Sequence, residues 1–271
     1  MSDRTHEITL LAPSATLHVE TVQWVRHWNA HLFSFALSRP SSFRFRSGEF
    51  VMIGLPGEGR PLLRAYSIAS PAYADELEFL SIKVDDGPLT SRLQRIAKGD
   101  PLFLGRKPTG TLVADALLPG RRLFLLATGT GLAPFLSVIR DPDIYDRFTQ
   151  VVVVHSVRLT SDLAYREELM SHLAGDPLVQ DQALLQLHYL PTVTRDNFPR
   201  RQRITTMIEN GGLFDTPTLG EPVLDPKQDR FMLCGSMAMI RDCSSLLEAR
   251  GFVEGSNAKS GSYVVERAFV G

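Results

Sequence analysis

The residues with the clearest chemical capacity stand together at Arg64-Ala65-Tyr66-Ser67, followed by Ile68-Ala69-Ser70-Pro71. The run reads as a short strand entering a turn. Side chains alternate along a strand, so Arg64 and Tyr66 are expected on one face and Ala65 and Ser67 on the other. A guanidinium grips a pyrophosphate through paired charge-assisted hydrogen bonds, and a phenol ring lies against a planar heterocycle at small entropic cost. A flavin dinucleotide offers both surfaces. Taken alone, these residue types are also ordinary strand residues, and a structural role would account for them.

Three later stretches could act on the same kind of ligand. Gly87-Pro88-Leu89-Thr90-Ser91 opens a predicted helix, whose first amides and dipole suit a phosphate, with Thr90 or Ser91 as a capping hydroxyl. A plain capping turn is the alternative. Thr128-Gly129-Thr130-Gly131-Leu132-Ala133-Pro134 follows a continuous apolar run, at the edge where open α/β sheets bind ligands. Its glycines let a pyrophosphate approach the backbone, and Pro134, standing where a third glycine would complete G-x-G-x-x-G, suits the first turn of a helix. Cys234-Gly235-Ser236 ends a strand and starts a helix at the same edge, although a free cysteine there also serves as simple packing. Arg158 follows the second apolar run, and Arg195 and Arg203 come later. Guanidinium groups at strand ends match a ribose 2′-phosphate, whereas an acidic residue would accept a free 2′-hydroxyl. Each arginine alone also reads as a solvated surface residue.

The elements that must position these residues change character along the chain. Short β-like runs at 17–22, 32–37, 50–55, 65–68, 77–83 and 101–104, punctuated by glycines, predict an antiparallel barrel with one helix at 89–97. After Pro119-Gly120 the rhythm becomes strand, helix, strand. Strands are expected at 123–127, 151–154, 184–190, 230–234 and 263–270, and helices at 163–173, 205–210 and 237–250. The fold predicted is therefore a β-barrel domain over residues 1–118, a doubly wound parallel α/β domain over 119–258, and a tail over 259–271.

Composition narrows the function classes. With 29 basic and 30 acidic residues the chain is near neutral, which argues against a nucleic-acid partner. No apolar run approaches the roughly 20 residues of a membrane helix, and the polar start at Met1 predicts a cytoplasmic protein. Two cysteines, Cys234 and Cys243, match no zinc or iron-sulfur spacing, so no metal is expected and any redox centre is organic. Arg92, Arg95, Lys98, Arg106 and Lys107 form a locally basic stretch that could dock an acidic protein or simply line a solvated rim.

In this order, the four motifs resemble those of the ferredoxin/flavodoxin-NADP reductase family, and the resemblance covers all but the leader at 1–15. It implies an FAD held by Arg64, Ala65, Tyr66, Ser67, Lys83, Gly87, Leu89 and Thr90. It implies an NADP site at Thr128, Gly129, Thr130, Gly131, Arg158, Arg195, Arg203, Cys234 and Gly235. Catalytic roles fall on Ser67 near flavin N5, on Tyr66 against the flavin ring, and on Cys234 beside the hydride-donating carbon. Plant-type relatives end in an aromatic residue stacked on the flavin. Here Ala268 takes that position, as in the bacterial branch, and Phe269 becomes the candidate cover for the adenine. Glu266 is not matched to the plant carboxylate, which leaves the proton route open. The activity implied is hydride transfer from NADPH to FAD, then single electrons to ferredoxin or flavodoxin, by a monomer. Two alternatives share the fold: a reductase component of an oxygenase, and a flavin-binding electron-transfer subunit that uses no free nicotinamide.

Overall fold

The computed structural model describes residues 11–84 and 86–266. Six strands, β1 (Leu17–His27), β2 (Leu32–Ser38), β3 (Phe50–Leu55), β4 (Leu62–Ser67), β5 (Glu76–Ile82) and β6 (Pro101–Gly105), form one antiparallel sheet in the order β4-β3-β6-β1-β2-β5. The sheet curls until its edges meet: Ile68 bridges Phe79, and the Ala69 amide donates to the Glu78 carbonyl at 2.8 Å. Phe33, Phe35, Leu37, Ile53, Phe79 and Leu104 fill the interior. β2 shows no apolar-polar alternation because both its faces are covered. Phe33, Phe35 and Leu37 enter the barrel, while Leu32 joins the core of the second domain.

Five parallel strands form the second sheet, β7 (Arg122–Thr128), β8 (Gln150–Val157), β9 (Leu187–Val193), β10 (Asp229–Cys234) and β11 (Tyr263–Glu266), in the order β11-β10-β7-β8-β9. Successive residues of each apolar run feed opposite layers. Leu123, Leu125, Val151 and Val153 pack with helix Ala133–Ile139, whereas Phe124, Leu126, Val152 and Val154 pack with helices Ile204–Asn210 and Met237–Glu248. The strand order reverses between β7 and β10, which creates a crevice at their carboxyl ends.

Four expectations change. The helix expected at 89–97 contracts to one turn, Thr90–Leu93, because Leu93 and Ile96 turn into the barrel base and Gly99, at φ +94°, reverses the chain. The helix expected at 163–173 breaks into a 3₁₀ turn, Thr160–Asp162, and a short helix, Arg166–Met170, with Tyr165 in a left-handed conformation at φ 58°. Residues 184–186 end helix Gln180–Gln186 rather than starting a strand; Leu184 and Leu185 face solvent, so their apolarity carried no core signal. Finally, Tyr263–Glu266 pairs with β10 as the fifth strand, making this stretch part of the second sheet rather than of a separate tail. Ala268 and Phe269 lie outside the described residues.

The domains are joined by a chain of hydrogen bonds that converges on Glu78. Trp28 Nε1 donates to Ser34 Oγ, Ser34 to the Tyr165 hydroxyl, Tyr165 to Glu78 Oε1, and Arg140 Nη1 to Glu78 Oε2 at 2.9 Å. Trp28, Ser34 and Glu78 come from the barrel, Arg140 and Tyr165 from the second domain. Tyr165 keeps its proton: burial and the adjacent Glu78 charge both push its phenol well up.

Candidate active site

At the crevice, two loops approach closely enough to dictate glycine. A Cβ on Gly131 would lie 2.3 Å from the Cys234 carbonyl oxygen. One on Gly235, at φ +145°, would lie 2.0 Å from Thr128 Oγ1. Thr128 seals the junction by accepting a hydrogen bond from the Ser236 amide at 2.8 Å. Gly129, at φ +55°, has nothing within 4 Å of its Cβ direction, so this loop is tight against its neighbour and open above. Thr130 is half-buried beside it, and Pro134 sits in the first turn of helix Ala133–Ile139 as expected. Cys234 is fully buried; burial, and secondarily the Glu266 charge, push its thiol well up, so it stays protonated and offers shape rather than charge.

Glu266 is the neighbour that sequence reasoning left without a role. It is opposite Cys234 in the β10–β11 register, and its Oε2 accepts from the Thr111 amide at 3.2 Å. Thr111 belongs to the barrel side and also donates through its hydroxyl to the Val265 carbonyl. No motif pointed to Thr111, because its partners are more than 150 residues away in sequence.

These contacts join β4 to the crevice of the parallel sheet. Ser67 pairs with Phe50, Phe50 bridges Thr109, and the next two residues, Gly110 and Thr111, abut Glu266, the register partner of Cys234. Ser67 is 4% exposed and its Oγ has no hydrogen-bond partner among the described residues. A buried hydroxyl left unmatched costs stability, so its presence fits a ligand atom that completes it. Tyr66 is buried too, edge-on to Phe35 and Phe79, with its hydroxyl 3.2 Å from Ser81 Oγ. Burial raises its phenol, which remains neutral. Arg64 is exposed, donates only to the Leu63 carbonyl, and has no carboxylate partner among the described residues. Ala65 is half-buried beside it. Arg64 and Tyr66 thus sit in different environments despite the expected shared face, since the strand runs from solvent into the barrel mouth.

The second phosphate motif is built differently from the expectation. Neither Thr90 nor Ser91 caps the one-turn helix; the Thr90 hydroxyl donates instead to the Val84 carbonyl at 3.2 Å. That contact brings Thr90 Oγ1 within 2.1 Å of where a Gly87 Cβ would be, which explains the glycine. Leu89 is buried in the barrel core, so only its backbone can reach a ligand. Lys83 turns toward the β1–β2 connection, its Nζ donating to the Asn29 carbonyl at 3.4 Å.

Beyond β8 and β9 the three arginines gather at one edge. The Arg195 amide donates to the Arg158 carbonyl at 2.9 Å, and Arg203 stands at the start of helix Ile204–Asn210, its approach fixed by Thr192 Oγ1 donating to the Gln202 carbonyl at 2.6 Å. All three are exposed and none has a carboxylate partner among the described residues. The basic stretch, in contrast, divides. Arg92, Arg95 and Lys98 precede β6 and Arg106 and Lys107 follow it, so about 17 Å of strand separates the two groups. Arg106 and Lys107 instead join Arg44, Arg46 and Glu49 around a cavity of about 450 Å³.

Residues 17–113 match the family model of the oxidoreductase FAD-binding domain, and residues 125–245 that of the oxidoreductase NAD-binding domain. The chain is 50% identical over 268 residues to the flavodoxin/ferredoxin-NADP reductase of Rhodobacter capsulatus, covering 98% of each protein. It is 49% identical to the ferredoxin-NADP reductase of Azotobacter vinelandii, over 94% of this chain and 99% of that one. A ferredoxin NADP+ reductase from Neisseria gonorrhoeae, solved with bound FAD and NADP, superposes with a TM-score of 0.84 at 30% identity, over 94% of this chain and all of the other. Two matched domains in the same order, a barrel joined to a parallel sheet, and near-complete coverage at half identity place this chain in the ferredoxin/flavodoxin-NADP reductase family.

Proposed function

We propose that the protein moves a hydride between NADPH and FAD and exchanges electrons singly with ferredoxin or flavodoxin, in either direction. The observation that carries this reading is the unbroken run of contacts from Ser67, with its unmatched buried hydroxyl, to Cys234 at the sheet crevice. One structural junction therefore holds both the flavin motif and the nicotinamide motif.

FAD, when bound, supplies the two-electron to one-electron conversion, which no side chain in the chain can perform. The protein's part is placement. Arg64 would hold a phosphate, Ser67 would offer its hydroxyl to the ring, and the buried Tyr66 would wall the barrel mouth. The backbone of Gly87, Leu89 and Thr90 would serve the second phosphate. The 128–131 loop receives the dinucleotide, Gly235 leaves space, and the neutral Cys234 thiol shapes the pocket without competing for hydride. Holding donor and acceptor at about 3 to 3.5 Å in alignment is worth most of the acceleration in such a transfer. Arg158, Arg195 and Arg203 form the 2′-phosphate site; with arginine rather than an acidic residue after β8, NADPH is the favoured donor.

The electron carrier docks on basic groups around the barrel rim. Because the structure divides them, Arg92, Arg95 and Lys98 on one side and Arg106 and Lys107 on the other are separate candidates, distinguishable by charge reversal and the salt dependence of electron transfer. The whole reading is tested by an anaerobic titration of the flavoprotein. NADPH is expected to bleach the flavin bands at far lower concentration than NADH; equal bleaching by both would overturn the arginine assignment, and a protein that cannot take up FAD would overturn the function.

A further inference from the structure

The element that supports the nucleotide loop from below is a histidine with no role in the reading above. His155 lies in β8, 1% exposed, paired in register with Ala127 of β7 and Pro191 of β9. Its Nε2 is 3.2 Å from the Gly129 carbonyl oxygen and its Nδ1 is 3.2 Å from the Tyr189 hydroxyl. A carbonyl can only accept, so Nε2 carries the proton; Nδ1 must then accept, and Tyr189 donates to it. The two contacts select one neutral tautomer. Burial agrees: it lowers the histidine to about 4 and raises the Tyr189 phenol, so neither group ionises near neutrality.

The consequence follows from the planar trans peptide. Carbonyl and N–H of one peptide unit point in opposite directions, so with the Gly129 carbonyl drawn down onto His155, the Thr130 N–H is turned away from the sheet. Gly129 is exposed and open above, with a left-handed φ. Resting on the NADPH reading, we infer that His155, locked in its Nε2–H tautomer by Tyr189, is a positioning residue that presents the Thr130 amide to the pyrophosphate of the nicotinamide dinucleotide. Cofactor affinity is thereby tuned from beneath the sheet edge by residues that do not touch the ligand.

The test compares two ligands on the FAD-loaded protein by calorimetry: NADP+, which has the pyrophosphate, and adenosine 2′-monophosphate, which has only the 2′-phosphate end. His155→Leu should weaken NADP+ about tenfold, the scale of one well-placed hydrogen bond to a charged group, and leave adenosine 2′-monophosphate unchanged. His155→Gln, whose amide can donate from nearly the same reach, should return NADP+ affinity to within about threefold of wild type. Equal weakening of both ligands would mean a merely structural histidine and overturn the proposal, as would unchanged NADP+ binding or no rescue by glutamine. If His155→Leu does not fold, Tyr189→Phe decides: it should weaken NADP+ about threefold and spare adenosine 2′-monophosphate, and no change overturns the proposal. A wild-type protein that binds neither ligand overturns the NADPH reading itself, and this inference with it.

Discussion

The two halves of the candidate site lean on different materials. On the barrel side, Tyr66 and Ser67 are buried inside the mouth, one hydroxyl matched by Ser81 and the other without a partner among the described residues, and only Arg64 of that motif's polar side chains is exposed. On the α/β side, the chemistry is in backbone and in exposed charge, with glycine loops in close approach and three arginines at the rim. The difference follows from residence time. A cofactor that stays can complete a buried polar group permanently, whereas a substrate that must leave is better held by groups that water satisfies in its absence.

That contrast can be broken most severely at the loops. Gly131→Val places branched carbons against the Cys234 carbonyl, and the two loops must separate. The expected outcome is loss of NADPH-dependent bleaching with the flavin still bound, read by absorbance; loss of flavin as well would show that the halves are not independent. Next comes the bond between the halves. Arg140→Ala strands the Glu78 carboxylate at the interface and should cost on the order of 3 kcal/mol, seen as a lower denaturant midpoint. A change under 1 kcal/mol would mean that the interface relaxes around the lost pair.

Smaller effects separate the two binding modes. Arg158→Ala and Arg203→Ala should each raise the KM for NADPH roughly 10- to 100-fold with NADH untouched, because each removes a charge-assisted contact to a group only NADPH has. An equal loss with both nucleotides would place these arginines elsewhere on the ligand. Tyr66→Phe should cost about 1 kcal/mol through the Ser81 contact. Ser67→Ala should leave the stability of the flavin-free protein unchanged or slightly higher, since its hydroxyl has no partner among the described residues, while slowing hydride transfer in stopped flow. A clear destabilisation without flavin would reveal a partner and remove the fit argument.

Local chemistry determined much of this protein. Short strands with turn residues are legible as a barrel, and four-residue apolar runs as buried parallel strands, because these signals arise between near neighbours in the chain. The strand carrying Arg64 to Ser67 and the glycines of the two crevice loops were legible for the same reason, whereas the neighbouring loop that crowds Gly131 and Gly235 was not. What only the tertiary structure decided depends on contacts between distant residues. It put Glu266 beside Cys234 and Thr111, broke the helix at Tyr165 to complete an interdomain hydrogen-bond chain, and set His155 beneath Gly129. A sequence states which groups are available and how each local segment prefers to fold. Which polar atom meets which is settled only when the two sheets close on each other, since that closure excludes water and makes any buried donor or acceptor left without a match costly.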